Sequence, residues 1–215
     1  MIEKYYNGVI EQVAGGIGNV EHNSILVRYS NDFSIWDLES VNHYKDQTDI
    51  FFTCHEFSYN KIAEAYEPYL GLIRQMFHKY CSGTLEEFME ECDVYKLQRP
   101  VFESYFEKGF CERTEQILID EVEYEQERMR NSIVTMLQKL SEIRPVVIVL
   151  NRFQLASKST MQLSNSLLQV KNKNIGIVLG VNVVQSSPEF AHEEWDAICE
   201  SMDDRNMVYH IGNAV

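Results

Sequence analysis

The chain has 215 residues, of which 45% are hydrophobic, and this is enough for the core of one large domain or two small ones. Its formal net charge of −14 opposes binding to nucleic acids and anionic membrane surfaces, because both require clustered Lys and Arg. Its five cysteines and six histidines lack the spacing of a disulfide framework or a metal site, and no apolar run approaches the length of a membrane span. We therefore expect a soluble cytoplasmic protein with no bound metal and no direct contact with nucleic acid or membrane.

Short apolar runs of strand length alternate with helical stretches along the chain. Several of these runs are rich in β-branched or aromatic residues and are apolar on both faces, as a parallel sheet covered on both sides requires. The runs are residues 24–29, 50–54, 146–150, 175–179 and 207–210. The pattern predicts an α/β fold with a sheet of five parallel strands.

Helices are predicted where apolar residues recur at spacings of three and four. The predicted helices are residues 2–13, 34–43, 115–143, 159–170 and 188–202. Ser58 is suited to cap a further helix that runs towards Tyr80 and is bent or split by Pro68. Thr84 and Glu87 have the spacing of a capping box before another helix.

The region 58–144 contains no convincing strand. It is therefore interpreted as a helical insertion between the second and third strands, whereas the strands on either side need one another as sheet neighbours. We accordingly interpret residues 1–215 as a single domain. The glycine-rich stretch 13–19 precedes the first strand, which favours a turn that ends a helix over a phosphate-binding loop.

Ligands of open parallel sheets bind beyond the carboxyl ends of the strands, so the residues that follow each strand are the candidate site. After the four strands that precede the last one, these residues are Ser30, Asn31, Asp32, Phe33, Ser34, His55, Glu56, Asn151, Arg152 and Asn182. Arg152 could act as a fixed cation that pairs with Asp32 or Glu56 across the strand ends.

The order of elements resembles a known family. The stretches YEPYLGLIRQM (66–76) and NRFQLASKSTMQLSNSLLQ (151–169), with Gln154, Ala156 and Leu163 at matching positions, are similar to segments of the P-loop ATPase domain of bacterial signal-transduction ATPases. These are AAA-related, STAND-type modules of multidomain regulators. The stretch IGIVLGVN (175–182) resembles the sensor strand of this family, and the resemblance spans nearly the whole chain. It implies a phosphate-binding Walker A loop after the first strand and a magnesium-binding Walker B acid at the end of the third.

The sequence departs from this family at both motifs. Residues 28–36 contain no glycine and no lysine, although a Walker A loop needs both to hold phosphates. Asp32 and Phe33 would place a negative charge and a bulky ring where phosphate should lie. Asn151 and Arg152 replace the acids that would hold magnesium. The sequence thus predicts a vestigial nucleotide pocket, with no catalytic residues and no cofactor.

Three functions remain open at this point. The first is a non-hydrolysing regulatory or protein-interaction module of a larger signalling protein, such as a transcription regulator or a diguanylate cyclase. Its partners would be proteins or further domains of the same chain beyond Val215, and it could form oligomers. The second is an ATPase with an atypical pocket that binds ATP and magnesium. The third is an unrelated α/β enzyme that uses His55 and Glu56 for acid–base chemistry.

Overall fold

The computed structural model describes residues 2–18, 23–30, 33–45, 49–109, 122–170, 172–184, 191–203 and 208–211. The chain divides into two compact units. One unit, here called the sheet unit, joins Met1–Glu67 to Arg144–Val215, and the other, the helical unit, is Pro68–Ile143. All strands among the described residues belong to the sheet unit.

The sheet is parallel throughout. Its strands are β1 Ser24–Tyr29, β2 Phe51–Glu56, β3 Val146–Asn151, β4 Ile175–Asn182 and β5 Val208–Ile211. The order across the sheet is β2-β3-β4-β1-β5, with four strands of six to eight residues and a four-residue strand, β5, beside the carboxyl-terminal part of β1. Every residue of β3 and β4 is buried, which explains why these strands are apolar on both faces.

Helices flank this sheet and also make up the described elements of the helical unit. They are α1 Ile2–Gly15, α2 Glu39–Lys45, α3 Tyr69–Tyr80, α4 Leu85–Glu91, α5 Arg99–Lys108, α6 Val122–Ile143, α7 Lys158–Gln169 and α8 His192–Asp203. α1 contacts β1, β3 and β4, and α2 contacts β2. The prediction of an α/β fold with a parallel sheet flanked by helices is therefore confirmed. The predicted helical residues 115–121 and 188–190 lie outside the described residues, and α5 was not predicted.

The helix predicted from Ser58 towards Tyr80 is confirmed only after Pro68, and its first part is wrong. α3 begins only after Pro68, and the residues between Ser58 and Pro68 form turns and irregular backbone. Pro68 disfavours helical backbone at the residue before it, and Tyr66 has a left-handed conformation with φ 61°. Ile62, which lies in this segment, is 93% exposed. The helical unit consequently starts at Pro68 rather than at residue 58.

Further boundaries differ from prediction. The predicted helix 34–43 is a short 3₁₀ turn, Ile35–Asp37, followed by α2, because Leu38 between them has an extended backbone. β2, β3 and β4 continue beyond their predicted ends, so Glu56, Asn151 and Asn182 are the last residues of strands rather than loop residues.

The helical unit contains the predicted capping box. The Thr84 hydroxyl accepts a hydrogen bond from the Glu87 backbone N–H at 3.2 Å, and the Glu87 carboxylate accepts one from the Thr84 N–H at 2.8 Å. Two of the four backbone N–H groups that have no partner within the first turn of α4 thereby gain a hydrogen bond to a neighbouring side chain. Phe77 packs against Phe88 and Phe106, with ring centroids 5.2 and 5.5 Å apart, and this cluster joins α3 to α4 and α5.

Candidate functional site

The carboxyl ends of four neighbouring strands lie side by side. The register pairs Glu56 with Asn151 across β2 and β3, and Tyr29 with Asn182 across β1 and β4. Because parallel strands all end at the same edge, the polar residues predicted from separate parts of the chain lie on one edge of the sheet. Asn31 and Asp32, which were also predicted there, lie outside the described residues, and Ser30 is half-buried.

Arg152 and Glu56 form an ion pair at this edge. Arg152 Nη1 lies 3.2 Å from Glu56 Oε1, and the two side chains are only 20% and 11% exposed. The other carboxylate oxygen of Glu56 accepts hydrogen bonds from the Ser34 hydroxyl and the Ile35 N–H, each at 3.3 Å. Arg152 has a left-handed backbone conformation with φ 53°, which residues other than glycine rarely adopt. The hypothesis that Arg152 pairs with Glu56 is therefore confirmed.

Phe33 covers the end of β1 with an aromatic cluster. Its ring packs edge to face against Tyr29 and against Tyr6 of α1, with centroids 5.0 and 5.1 Å apart. Such pairs stabilise a cluster beyond the effect of burial alone. The Phe33 ring, which follows β1, therefore packs against two core residues of the sheet unit.

Tyr6, Tyr29 and Asn151 form a buried group of polar side chains next to the Phe33 ring. The Tyr29 hydroxyl donates a hydrogen bond to Asn151 Oδ1 at 2.8 Å, and both residues are fully buried. Asn151 Nδ2 and the Tyr6 hydroxyl are also buried, and neither has a hydrogen-bond partner among the described residues. Burial, and next the neighbouring Tyr29, raise the pKa of Tyr6 well above its usual value, so its hydroxyl stays protonated.

Gly180 of β4 makes room for this group. A Cβ atom at this position would lie 2.6 Å from Asn151 Oδ1 and would overlap the Tyr6 hydroxyl. Sequence reasoning identified Asn151 but missed Tyr6 and Gly180. A glycine inside an apolar strand was a usable signal, because it often marks a close approach by another group.

The two buried tyrosines should respond differently to the loss of their hydroxyl groups. We expect Tyr29→Phe to lower the free energy of unfolding by about 1–2 kcal/mol, because it also removes the partner of the buried Asn151 amide oxygen. Tyr6→Phe is the matched control. It should change stability by less than about 0.5 kcal/mol, or raise it, because a buried hydroxyl without a hydrogen bond is unfavourable.

Urea denaturation of both variants measures these differences. Equal losses for Tyr29→Phe and Tyr6→Phe would contradict the assignment of the hydrogen bond to Tyr29 alone.

Asn182 has a local structural role at the end of β4. Its side-chain oxygen accepts a hydrogen bond from the Val184 N–H at 3.0 Å, and its own N–H donates to Gln154 Oε1 at 3.3 Å. The Val183 N–H donates to the Tyr29 carbonyl at 2.8 Å. The amide at the position of the predicted sensor therefore closes the turn that follows the strand.

His55 and Glu56 do not form an acid–base pair. They are consecutive residues of β2, so their side chains point to opposite faces of the sheet. His55 Nε2 instead lies 3.8 Å from Glu67 Oε1, and Lys61 Nζ lies 3.0 Å from the same oxygen. Burial lowers the pKa of His55 despite the Glu67 carboxylate, which favours the neutral imidazole. The pair required by the third sequence hypothesis is thus not assembled.

Neither a metal site nor a membrane span is found in the part of the chain that the structure describes. Its residues include no group of three or more His, Cys, Asp or Glu side chains placed to hold a metal ion. None of its helices combines the length and the apolar character needed to cross a bilayer.

The fold and the strand-end residues define an α/β protein with a parallel sheet and an ion pair at the edge where such sheets bind ligands. Comparison with known proteins adds no finer class. No protein-family model, curated protein or solved structure matches the chain.

Proposed function

We propose that the chain is a non-hydrolysing, degenerate P-loop ATPase-like domain, which acts as a regulatory or protein-interaction module of a cytoplasmic signalling protein. The observation that carries this proposal is the ion pair between Arg152 and Glu56. Arg152 follows β3, where the resembled ATPases hold magnesium, and its permanent positive charge opposes a divalent cation at that position.

The arrangement of the strands supports the resemblance. In the resembled family the first, third and fourth strands lead to the phosphate loop, the magnesium site and the sensor. A working site needs these three strand ends to be close together. Here β3, β4 and β1 are consecutive in the sheet, so the corresponding residues are neighbours at one edge.

The chemistry of the edge supports the loss of nucleotide binding. Magnesium in proteins is bound by oxygen ligands, most often carboxylates and water. The Glu56 carboxylate is engaged by Arg152, Ser34 and Ile35, and Asn151 Oδ1 accepts from Tyr29. The Glu56 carboxylate and the Asn151 amide oxygen therefore already have protein partners, and the Phe33 ring packs at the end of β1.

ATP with magnesium should leave the thermal unfolding temperature unchanged. A ligand of the native state at one hundred times its dissociation constant stabilises a protein by about 2.7 kcal/mol, which is a shift of several degrees. Magnesium chloride alone and sodium tripolyphosphate are the controls, because they separate general salt effects from nucleotide binding. An upward shift with ATP and magnesium beyond both controls would favour the alternative of an ATPase with an atypical pocket.

A further inference from the structure

Large apolar side chains are exposed on the loops that follow three strand ends. The exposed fractions of these side chains range from 51% to 93%. The residues are Trp36 after β1, Tyr59 and Ile62 after β2, and Val183 and Val184 after β4. We call this set the strand-end face. Exposed apolar residues scattered singly are ordinary, whereas a cluster of them is typical of a binding surface.

Contacts within the sheet unit link the segments that carry Trp36 and Tyr59. The Glu56 carboxylate accepts from Ser34 and Ile35, directly before Trp36, and it pairs with Arg152. The Arg152 guanidinium carbon lies 5.9 Å from the centroid of the Tyr59 ring. Tyr59 therefore lies beside the arginine of this ion pair, and the turn that contains Trp36 begins at residues bound to its glutamate.

The two valines join the same edge from β4. The Val183 N–H donates to the Tyr29 carbonyl, and the Tyr29 ring contacts Phe33, which directly precedes Ser34. The segment that carries Val183 and Val184 therefore leaves β4 directly beside the end of β1, at the same edge of the sheet.

Exposed carboxylates lie close in the chain to Trp36 and Ile62 of the strand-end face. Asp37 and Glu39 are exposed beside Trp36, and Glu64 is exposed beside Ile62. Lys61 is the cation of the segments 33–40 and 57–67, and it lies 3.0 Å from Glu67 Oε1. The local charge is therefore negative, in agreement with the net charge of the whole chain.

We propose that the strand-end face binds an amphipathic segment of a partner protein whose apolar residues are flanked by Lys and Arg. Apolar residues of the segment would cover the face, and its cations would pair with Asp37, Glu39 and Glu64. The inference rests on the proposed function, since the face is accessible only if no nucleotide occupies the strand ends. An anionic membrane is disfavoured by the same carboxylates.

Two designed peptides test this inference. Both have about 18 residues and the same leucine face, which suits an amphipathic helix, but the polar face is lysine in one and glutamate in the other. We expect the Leu–Lys peptide to bind and to shift the fluorescence of Trp36, and the Leu–Glu peptide to bind at least about tenfold more weakly. Trp36→Phe should remove most of the fluorescence change but retain binding measured by calorimetry, which separates Trp36 from Trp195.

Paired variants localise the binding. The double variant Tyr59→Ser, Ile62→Ser should weaken binding of the Leu–Lys peptide at least about tenfold, as expected for apolar residues central to an interface. Leu97→Ser is the matched control, because Leu97 is likewise exposed, at 66%, but is not a residue of the strand-end face. Circular dichroism and thermal unfolding confirm that both variants fold.

The inference would be overturned by the absence of binding to the Leu–Lys peptide, by equal binding of the two peptides or by equal weakening by Leu97→Ser. It would also be overturned by binding to vesicles of phosphatidylserine and phosphatidylcholine, or by self-association of the chain that Tyr59→Ser abolishes. The last would assign the face to a second copy of the chain. These outcomes are independent of the nucleotide test. A thermal shift with ATP and magnesium contradicts the proposed function, whereas failure of peptide binding without such a shift contradicts only the choice of partner.

Discussion

Gly180→Ala should lower the free energy of unfolding by about 2–3 kcal/mol, as overpacking of a close-packed core does. The added methyl group would lie 2.6 Å from Asn151 Oδ1 and would overlap the Tyr6 hydroxyl. Neither group can retreat easily, because Asn151 is held by Tyr29 and Tyr6 lies on α1 with its ring against Phe33. Urea denaturation of the variant measures the loss.

Two further variants make this prediction specific. Gly8→Ala is the control, because a Cβ atom at Gly8 of α1 would meet nothing within 4 Å. Alanine is the better helix former, so this change should stabilise the protein by about 0.5–1 kcal/mol. The double variant Tyr6→Phe, Gly180→Ala should be more stable than Gly180→Ala alone, because it lacks the Tyr6 hydroxyl, one of the two groups that the added methyl group overlaps. No recovery, or equal effects at Gly8 and Gly180, would contradict the close approach.

Arg152→Ala is expected to lower the free energy of unfolding by about 2 kcal/mol. Removal of one member of a buried pair leaves the other charge without its partner, and the partial exposure of this pair reduces the full effect. Arg152→Gly removes the same ion pair but relieves the left-handed backbone, where φ is 53°. It should therefore be more stable than Arg152→Ala by about 1 kcal/mol.

Arg144→Ala provides the comparison for this prediction. Arg144 Nη1 lies 3.8 Å from Asp49 Oδ1, and the Asp49 side chain is 96% exposed, so the solvent screens this pair. The loss of stability should be less than half that of Arg152→Ala in the same denaturation experiment. Similar losses for the two arginine variants would show that the pair at the strand ends has no special role in stability.

The sheet could be predicted from sequence because its strands carry a local signal. β3 and β4 are buried on both faces, so each appears as an unbroken run of β-branched and aliphatic residues. The ends of β2, β3 and β4 were predicted too early, since polar residues such as Glu56, Asn151 and Asn182 are ordinary loop residues by composition. Hydrogen bonds to neighbouring strands hold them in the sheet, and such bonds depend on tertiary contacts.

The helix predicted from Ser58 shows the limit of local rules. A capping residue and apolar spacing favoured this helix. Pro68 and the left-handed backbone of Tyr66 are incompatible with a continuous helix from Ser58 into α3. The Ser58 hydroxyl instead accepts a hydrogen bond from the Asn60 N–H in a turn. Local capping chemistry was thus used for a turn rather than for a helix.

The candidate site could be predicted only in part. The rule that ligands bind beyond strand ends predicts that Glu56, Asn151 and Arg152 lie at one edge of the sheet, as they do. Tyr6 and Gly180 were missed because their roles depend on how closely α1 approaches β4, which no sequence pattern specifies. The aromatic cluster around Phe33 also depends on this approach.

The most direct test of the central claim is a crystal structure of the protein grown with ATP and magnesium. We expect the ion pair between Arg152 and Glu56 to remain, with no ordered phosphates against Ser30, Phe33 or Ser34. Ordered phosphates at those residues, with a magnesium ion beside Asn151, would contradict the loss of the nucleotide site.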